Sequence, residues 1–250
     1  MRLQPAASWL ALGLLLPTHS PAQEATDIPT VRIEASRAVT ELPYRRYLEI
    51  QHQLHRYLPP EPQLVDLWFR IGYPRMREPE RDVRPAAEQG VAVRSRSVDE
   101  AVAVRRGGYF SLPANQAAYD ESGEIVLNGV ERGWLGIWWT LRLPQTQRMR
   151  YADIRDARAQ LTAVQHRISA FATALRTVKR EPYDGIKACF HDASGAILID
   201  GQAVADAVEG DCKIHFSDPA RPGDAVVEFS GPLDVVSFID RRYYERKDQD

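Results

Sequence analysis

Alternating apolar and polar positions predict a strand over residues 134–143, the clearest strand pattern in the chain. Its apolar positions are Leu135, Ile137, Trp139, Leu141 and Leu143. Because successive side chains of a strand point to opposite faces, a second set must face the other way. That set is Trp134, Gly136, Trp138 and Thr140. Pro144 ends the pattern because it has no backbone N–H to donate.

Apolar residues that recur every three or four positions predict two amphipathic helices, over residues 43–58 and 151–178. The longer stripe consists of Tyr151, Ile154, Ala157, Leu161, Val164, Ile168, Phe171, Leu175 and Val178. The other side of this helix carries Arg155, Asp156, Arg158, Gln160, Gln165 and Arg167. One apolar and one polar face are typical of a helix that lies on a sheet.

Short apolar runs bounded by glycine and proline predict further strands on both sides of residues 179–185. Those before this boundary cover residues 64–71, 91–97, 101–104, 109–113 and 124–128. Those after it cover residues 187–192, 196–200, 212–217, 225–230 and 234–240. The pattern predicts an α+β fold: an antiparallel sheet with two amphipathic helices, followed by a small β-sandwich.

The N-terminus has the layout of a secretory signal peptide over residues 1–22. Arg2 precedes an eleven-residue apolar run (residues 6–16), and small residues surround a cleavage position after Ala22. The run is too short for a spanning helix, so no membrane span is expected after cleavage. The remaining chain divides into a linker (23–42), an α+β domain (43–178), a small β-sandwich (186–240) and a charged, frayed tail (241–250).

Composition excludes several classes of protein. The 250 residues are 44% hydrophobic and carry 32 Lys and Arg against 34 Asp and Glu. This balance offers no basic excess for a nucleic-acid partner. It also differs from the composition of coiled coils and multi-span membrane proteins.

Cys189 and Cys212 are the two cysteines of the chain. In an exported protein such a pair predicts a disulfide. The alternatives are two free buried thiols, or a metal site that adds His191 and His215. Strand parity argues against the metal site, because His215 would point away from Cys212 within one strand.

The familiar catalytic motifs are missing from the sequence. It contains no phosphate-binding loop, nucleophile elbow, zinc-protease helix or dinucleotide fingerprint. Glu49, His52 and His55 could share a helix face, but no second cluster supplies further metal ligands. Neighbouring acids at 99–100, 120–121, 206 and 209 fall mostly in predicted loops rather than in a cleft. We therefore assign no catalytic residue, cofactor or metal.

Two groups of residues are candidates for binding. Trp134 and Trp138 lie on the face of the predicted strand opposite its apolar set, and could form a platform for a sugar or a peptide. Coverage by the long helix or by the second module is the alternative. Arg75 and Arg77 belong to a locally basic loop (72–90) that could attract an anionic polymer, although acidic residues dilute its charge.

Several segments carry resemblances to known families: residues 107–113 (GGYFSLP), 127–129 (LNG), 134–144 and the helix start at 151–154. Together they resemble a family of exported proteins of Gram-negative bacteria, over residues 43–240, which implies no particular activity or functional residue. The GYFSLP segment is also similar to a turn of carboxypeptidase regulatory-like β-sandwiches, which implies an accessory β-sandwich role.

These observations predict a non-catalytic periplasmic or secreted protein that binds an envelope protein or polymer. The alternative is an envelope hydrolase whose acids converge only in the folded chain.

Overall fold

The structure, a computed structural model, describes residues 38–73, 90–129, 132–171 and 183–242. Within these ranges the chain forms three α-helices and fifteen strands, an α+β fold as predicted. The helices are α1 (Tyr44–His55), α2 (Gln116–Asp120) and α3 (Tyr151–Phe171). The strands are β1 (Ala38–Pro43), β2 (Val65–Gly72), β3 (Gly90–Arg94), β4 (Asp99–Val102), β5 (Tyr109–Phe110), β6 (Glu124–Gly129), β7 (Trp134–Leu141), β8 (Arg148–Arg150), β9 (Gly185–Phe190), β10 (Ala196–Ile199), β11 (Gln202–Val204), β12 (Ala207–Glu209), β13 (Cys212–Phe216), β14 (Val226–Ser230) and β15 (Leu233–Ile239).

The described strands form three antiparallel sheets. The largest has the order β12-β13-β9-β15-β7-β2-β5, and the two four-stranded sheets have the orders β1-β6-β3-β4 and β11-β10-β14-β8. In the largest sheet, β15 pairs with β7 through Ser237 and Thr140. In the last sheet, β8 pairs with β14. Strands from residues 43–178 and 186–240, predicted as separate modules, therefore share two of the sheets.

The core lies on one face of the seven-stranded sheet. Ile154, Leu161, Val164 and Ile168 of α3 are buried there, and α3 contacts β2 and β7. This agrees with the three-and-four periodicity of the helix. Gln165 differs from the prediction, because it is buried rather than exposed. Gln165 follows Val164 and lies at the edge of the buried helix face. This buried face is therefore wider than the stripe of apolar residues.

Several short elements differ from the sequence predictions, among them β1, β8 and α2. Strand β1 lies in the predicted linker and pairs with β6 along its whole length. Strand β8 has three residues and α2 has five, both too short for a periodic pattern to register. Helix α2 begins at Asn115, whose side chain accepts a hydrogen bond from the Ala118 N–H at 3.0 Å.

Several predictions fall outside the described residues. These are the signal peptide (1–22), Arg75 and Arg77, most of the loop at 72–90, the last residues of the long helix and most of the tail. None of the described helices is long and apolar enough to cross a membrane.

Candidate binding site

Strand β7 presents two unlike faces, as its alternation predicts. Leu135, Ile137, Trp139 and Leu141 are buried in the core beneath α3. Trp134, Gly136, Trp138 and Thr140 occupy the opposite face of the sheet. On that face, Trp138 lies directly opposite Trp68 of β2. The chain thus places three tryptophans on two neighbouring strands, on the side of the sheet away from the core.

Trp134 lies across two glycines. A Cβ atom added to Gly72 would come within 2.2 Å of its ring, and one added to Gly136 within 2.7 Å. The absence of side chains at these two positions therefore lets one face of the indole rest on the backbone. The residue nevertheless remains 43% exposed, and it is the one aromatic among the large, exposed hydrophobic residues of the described chain.

Arg70 occupies the middle of this face, although it is only 1% exposed. Its guanidinium carbon lies 4.6 Å from the ring centre of Tyr109 and 4.9 Å from that of Trp138. Its Nε donates a hydrogen bond to the Gly107 carbonyl at 2.9 Å. Contact with aromatic ring faces and a carbonyl lets a cation be buried where water is excluded.

A second arginine lies on the same face, at the end away from Trp134. The guanidinium of Arg105 lies over the ring of Trp68 at 5.1 Å. We call the surface formed by Trp68, Arg70, Arg105, Tyr109, Trp134 and Trp138 the arginine–tryptophan face. Trp68 and Trp138 are half-buried, because an arginine lies over each ring and both rings pack against the cluster of Tyr109, Cys189, Cys212 and Val235. The predicted pair of open indoles therefore reduces to one, Trp134.

The segment that precedes β5 holds this face in place. Gly107 and Gly108 have φ values of 74° and 81°, which glycine adopts without steric penalty. The backbone N–H of Arg106 donates to Asp234 at 2.6 Å, and its guanidinium donates to Asp211 at 2.5 Å. The turn thereby positions Tyr109 on the sheet, where it pairs with Arg70 of β2.

The predicted disulfide between Cys189 and Cys212 is present. The two residues lie directly opposite each other on β9 and β13, so the bond links neighbouring strands of the large sheet. It forms a small buried cluster with Tyr109 and Val235. The disulfide therefore packs on the same side of the large sheet as the arginine–tryptophan face, and its sulfurs are not available as metal ligands.

A cleft of about 270 Å³ adjoins the face at Trp68 and Arg105. It opens where β15 and the chain after β7 separate, beyond the Ser237–Thr140 pair. Pro144 lines the cleft and has no N–H with which to continue the ladder. A break in the register of β15 between Leu233 and Val235 lies on the other side. The polar residues lining the cleft are Asp66, Arg105, Thr140, Gln145, Gln147 and Asp234.

The charges that line the cleft are paired. The guanidinium of Arg142 donates two hydrogen bonds to Asp66, at 2.6 and 2.8 Å. Asp234 accepts from the Arg106 backbone at 2.6 Å and from the Arg105 side chain at 3.3 Å. The cleft therefore offers hydrogen-bonding groups without a net charge.

Three buried polar groups near this surface have no hydrogen-bond partner among the described residues. They are the Tyr109 hydroxyl, Trp138 Nε1 and Ser237 Oγ. All three belong to the arginine–tryptophan side of the large sheet. Buried polar atoms are usually satisfied, but none of these three residues lines the cleft, so they are not part of its surface.

The acidic residues considered from the sequence do not converge. Asp99 pairs with Arg94, and Glu100 accepts from the Asn115 side chain. Asp206 lies 3.1 Å from His215, whereas Glu209 faces the buried Lys187 at 4.0 Å. Each acid therefore has its own structural partner.

Glu121 illustrates this structural use of an acid. It accepts hydrogen bonds from the Ser95 hydroxyl at 2.7 Å and the Ser97 N–H at 2.8 Å. These bonds lower the pKa of Glu121 to about 2. The carboxylate thus fastens the turn between β3 and β4.

Among the histidines considered from the sequence, His215 is packed into the fold. His215 packs edge-on against the ring of Tyr151, with 6.1 Å between ring centres, on the α3 side of the sheet. Burial lowers its pKa, as it lowers that of His55. Within the described ranges, no group of three His, Cys, Asp or Glu side chains could hold a metal ion.

Sequence reasoning identified Trp134 and Trp138 but missed Trp68, Arg70, Arg105 and Tyr109. One signal was present: Trp68 and Arg70 share a face of the alternating strand at 64–71, next to apolar Leu67, Phe69 and Ile71. The pairing of β2 with β7 was not readable from that pattern, so the two tryptophan-bearing faces could not be joined.

Comparison with known proteins finds no matching family model, no matching curated protein and no matching solved structure. The resemblances drawn from the motifs of the chain therefore stay predictions.

Proposed function

We propose that this chain is a non-catalytic, exported protein of the cell envelope that binds a polysaccharide on its arginine–tryptophan face. The observation that carries the proposal is Trp134, whose indole rests on Gly72 and Gly136 yet remains 43% exposed. An open ring held flat against a rigid sheet suits a flat, partly apolar ligand surface. The C–H face of a pyranose ring is such a surface.

The charges of the cleft, at the other end of the face from Trp134, support a sugar rather than a charged polymer. Asp66 and Asp234 are paired with Arg142 and Arg105. A charged ligand would have to compete with these ion pairs. A neutral, hydroxylated ligand can instead add hydrogen bonds at their remaining lone pairs and N–H groups.

Binding is proposed in preference to hydrolysis because of how the acids are held. Glycoside hydrolysis needs two carboxyl groups on either side of the bond, one of which donates a proton. The two acids that line one cleft, Asp66 and Asp234, already accept hydrogen bonds from arginines. They are therefore arranged as acceptors.

Export is proposed from the signal-like residues 1–22 together with the disulfide. A disulfide of this kind persists in oxidising compartments such as the periplasm. An envelope polysaccharide is the ligand of matching chemistry in that compartment.

Co-sedimentation with purified peptidoglycan sacculi tests the proposal, using soluble N-acetylglucosamine oligosaccharides as competitors. Trp134→Ala removes the ring, whereas Gly136→Ala keeps the ring but displaces it from its seat. Val208→Ala is the matched control, because Val208 is exposed on an edge strand of the same sheet. Both test variants should reduce the bound fraction about tenfold, the loss expected for one aromatic anchor.

The control should bind as the unmodified protein does, and the oligosaccharides should release both of these proteins from the sacculi. Binding that survives Trp134→Ala, or that the oligosaccharides do not displace, would refute the proposal. Release of sugar from the sacculi by the protein would favour the hydrolase alternative.

A further inference from the structure

The cleft beside Trp68 has a lining of mixed polar and apolar residues. It lies where the β15–β7 ladder stops, and its volume is about 270 Å³. Its floor includes Thr140, which is 3% exposed. Directly opposite Thr140 is Ser237, whose buried Oγ has no hydrogen-bond partner in the described chain. Ser237 does not itself line the cleft, so Thr140 supplies the hydroxyl of its floor, where a polar ligand can bind.

The cleft continues the arginine–tryptophan face rather than forming a separate surface. Trp68 and Arg105 belong to both. Trp134 and Thr140 are six residues apart on one face of β7, a distance of about 20 Å at roughly 3.3 Å per residue. The rings between them, Trp68 and Trp138, are covered by arginines. A ligand that follows the face therefore meets open binding groups at its two ends.

We infer that this cleft is a second subsite, which holds the far end of a neutral, polyhydroxylated glycan chain whose near end stacks on Trp134. This inference rests on the proposed function and adds to it the length and charge of the ligand. Hydroxyl groups of one sugar would bond with Thr140, Gln145 and the paired carboxylates Asp66 and Asp234. The mixed polar lining suits a sugar better than an apolar peptide side chain.

The ion pairs in the cleft determine which ligand charge is accepted. Asp66 is held by Arg142, and Asp234 by Arg105 and the backbone of Arg106. An anionic sugar would face both carboxylates, and a cationic one would face Arg105. A neutral sugar avoids both repulsions and leaves the existing pairs in place.

Calorimetric titration with an N-acetylglucosamine disaccharide and hexasaccharide tests the two-subsite arrangement. Thr140→Val removes the cleft hydroxyl at nearly constant shape, and Gln145→Ala trims an exposed lining residue that the core does not need. Thr162→Val, on the exposed side of α3, is the matched control. Thermal unfolding of each variant shows that the fold is retained.

The hexasaccharide should bind more tightly than the disaccharide because it reaches both subsites. Its affinity should fall about tenfold in Thr140→Val and also in Trp134→Ala, and more weakly in Gln145→Ala. The disaccharide can occupy only one of the two subsites at a time. Its affinity should therefore fall in Trp134→Ala or in Thr140→Val, but not in both. The control should leave both affinities unchanged.

Two outcomes would overturn the inference and can be told apart. If the hexasaccharide loses affinity in Trp134→Ala but not in either cleft variant, the cleft is not a subsite and the proposed function stands. If neither saccharide binds the unmodified protein, the proposed function fails and the second subsite fails with it.

Discussion

The two faces of the seven-stranded sheet both bury tryptophan side chains, but with different chemistry. Towards α3, Trp139 lies among aliphatic and aromatic side chains and is 1% exposed. On the opposite face, its neighbour Trp138 contacts the guanidinium of Arg70 instead. Both faces exclude water, but the first does so with apolar packing and the second with stacked cations and rings.

This difference shows that the outward side of an alternating strand need not be a solvated side. Arg70 is as well buried as the core residues, because two rings and a carbonyl replace its water. Such an arrangement fixes the positions of the tryptophans while leaving polar atoms nearby. The apolar face stabilises the fold, whereas the arginine–tryptophan face combines stability with a surface for recognition.

The largest expected effect separates the neighbouring tryptophans Trp138 and Trp139. Trp139→Ala should lower the free energy of unfolding by about 3–5 kcal/mol, as large aromatic truncations in cores do. Trp138→Ala should cost about 1–2 kcal/mol, because its ring is only half-buried and loses its contacts with Arg70 and with the cluster of Tyr109, the disulfide and Val235. Urea denaturation at neutral pH measures both.

Equal losses in the two variants would mean that both faces are ordinary core. A larger loss in Trp138→Ala would reverse the comparison. The slope of unfolding free energy against urea should be unchanged in both, so that the midpoints report stability alone.

The local periodicity of apolar residues predicted most of the helices and strands. The alternation around Ile137 placed Trp139 inside and Trp138 outside, and the spacing of Leu161, Val164 and Ile168 oriented α3. These patterns depend on neighbours in the chain, which a single sequence displays. The Cys189–Cys212 disulfide was readable for another reason: the chain has two cysteines, so only one pairing is possible, and the signal-like N-terminus favours an oxidising compartment.

The arginine–tryptophan face was only partly readable because its contacts are distant in sequence. Arg70 meets Gly107 and Tyr109 through a turn whose anchor, Asp234, lies more than 120 residues further on. The cleft likewise combines Asp66 with Thr140. Strand pairing brings such residues together, and alternation within one strand does not reveal which strands pair.

A smaller effect tests the cations directly. Arg70→Met keeps an unbranched apolar stem but leaves the Gly107 carbonyl without its donor and removes two cation–ring contacts. The expected loss is about 2 kcal/mol. Arg94→Met is the matched control, because Arg94 is exposed and its ion pair in the described residues is with an exposed Asp99. That change should cost less than about 0.5 kcal/mol.

The same denaturation measurements distinguish the two interpretations of Arg70. If Arg70→Met were as mild as Arg94→Met, the guanidinium would contribute nothing to the burial of this face. A tryptophan emission shift to longer wavelength in Arg70→Met, but not in Arg94→Met, would locate the change at Trp138.

The smallest expected effect lies outside both faces, at Glu121 in the turn between β3 and β4. Its pKa of about 2 is below the ordinary value of 4.5, because Ser95 and Ser97 donate to the ionised carboxylate. The stabilisation is therefore fully present above pH 4.5 and is lost as the pH falls towards 2. Glu121→Gln should lower the melting temperature slightly at pH 6, and the two proteins should converge near pH 2. Because Glu121 touches neither Arg70 nor Trp138, the loss in a Glu121→Gln, Arg70→Met double variant should equal the combined losses of the single variants at pH 6. A difference that persists at pH 2 would show that the carboxylate is not what holds the turn, and strong non-additivity would show that the turn and the arginine–tryptophan face are coupled.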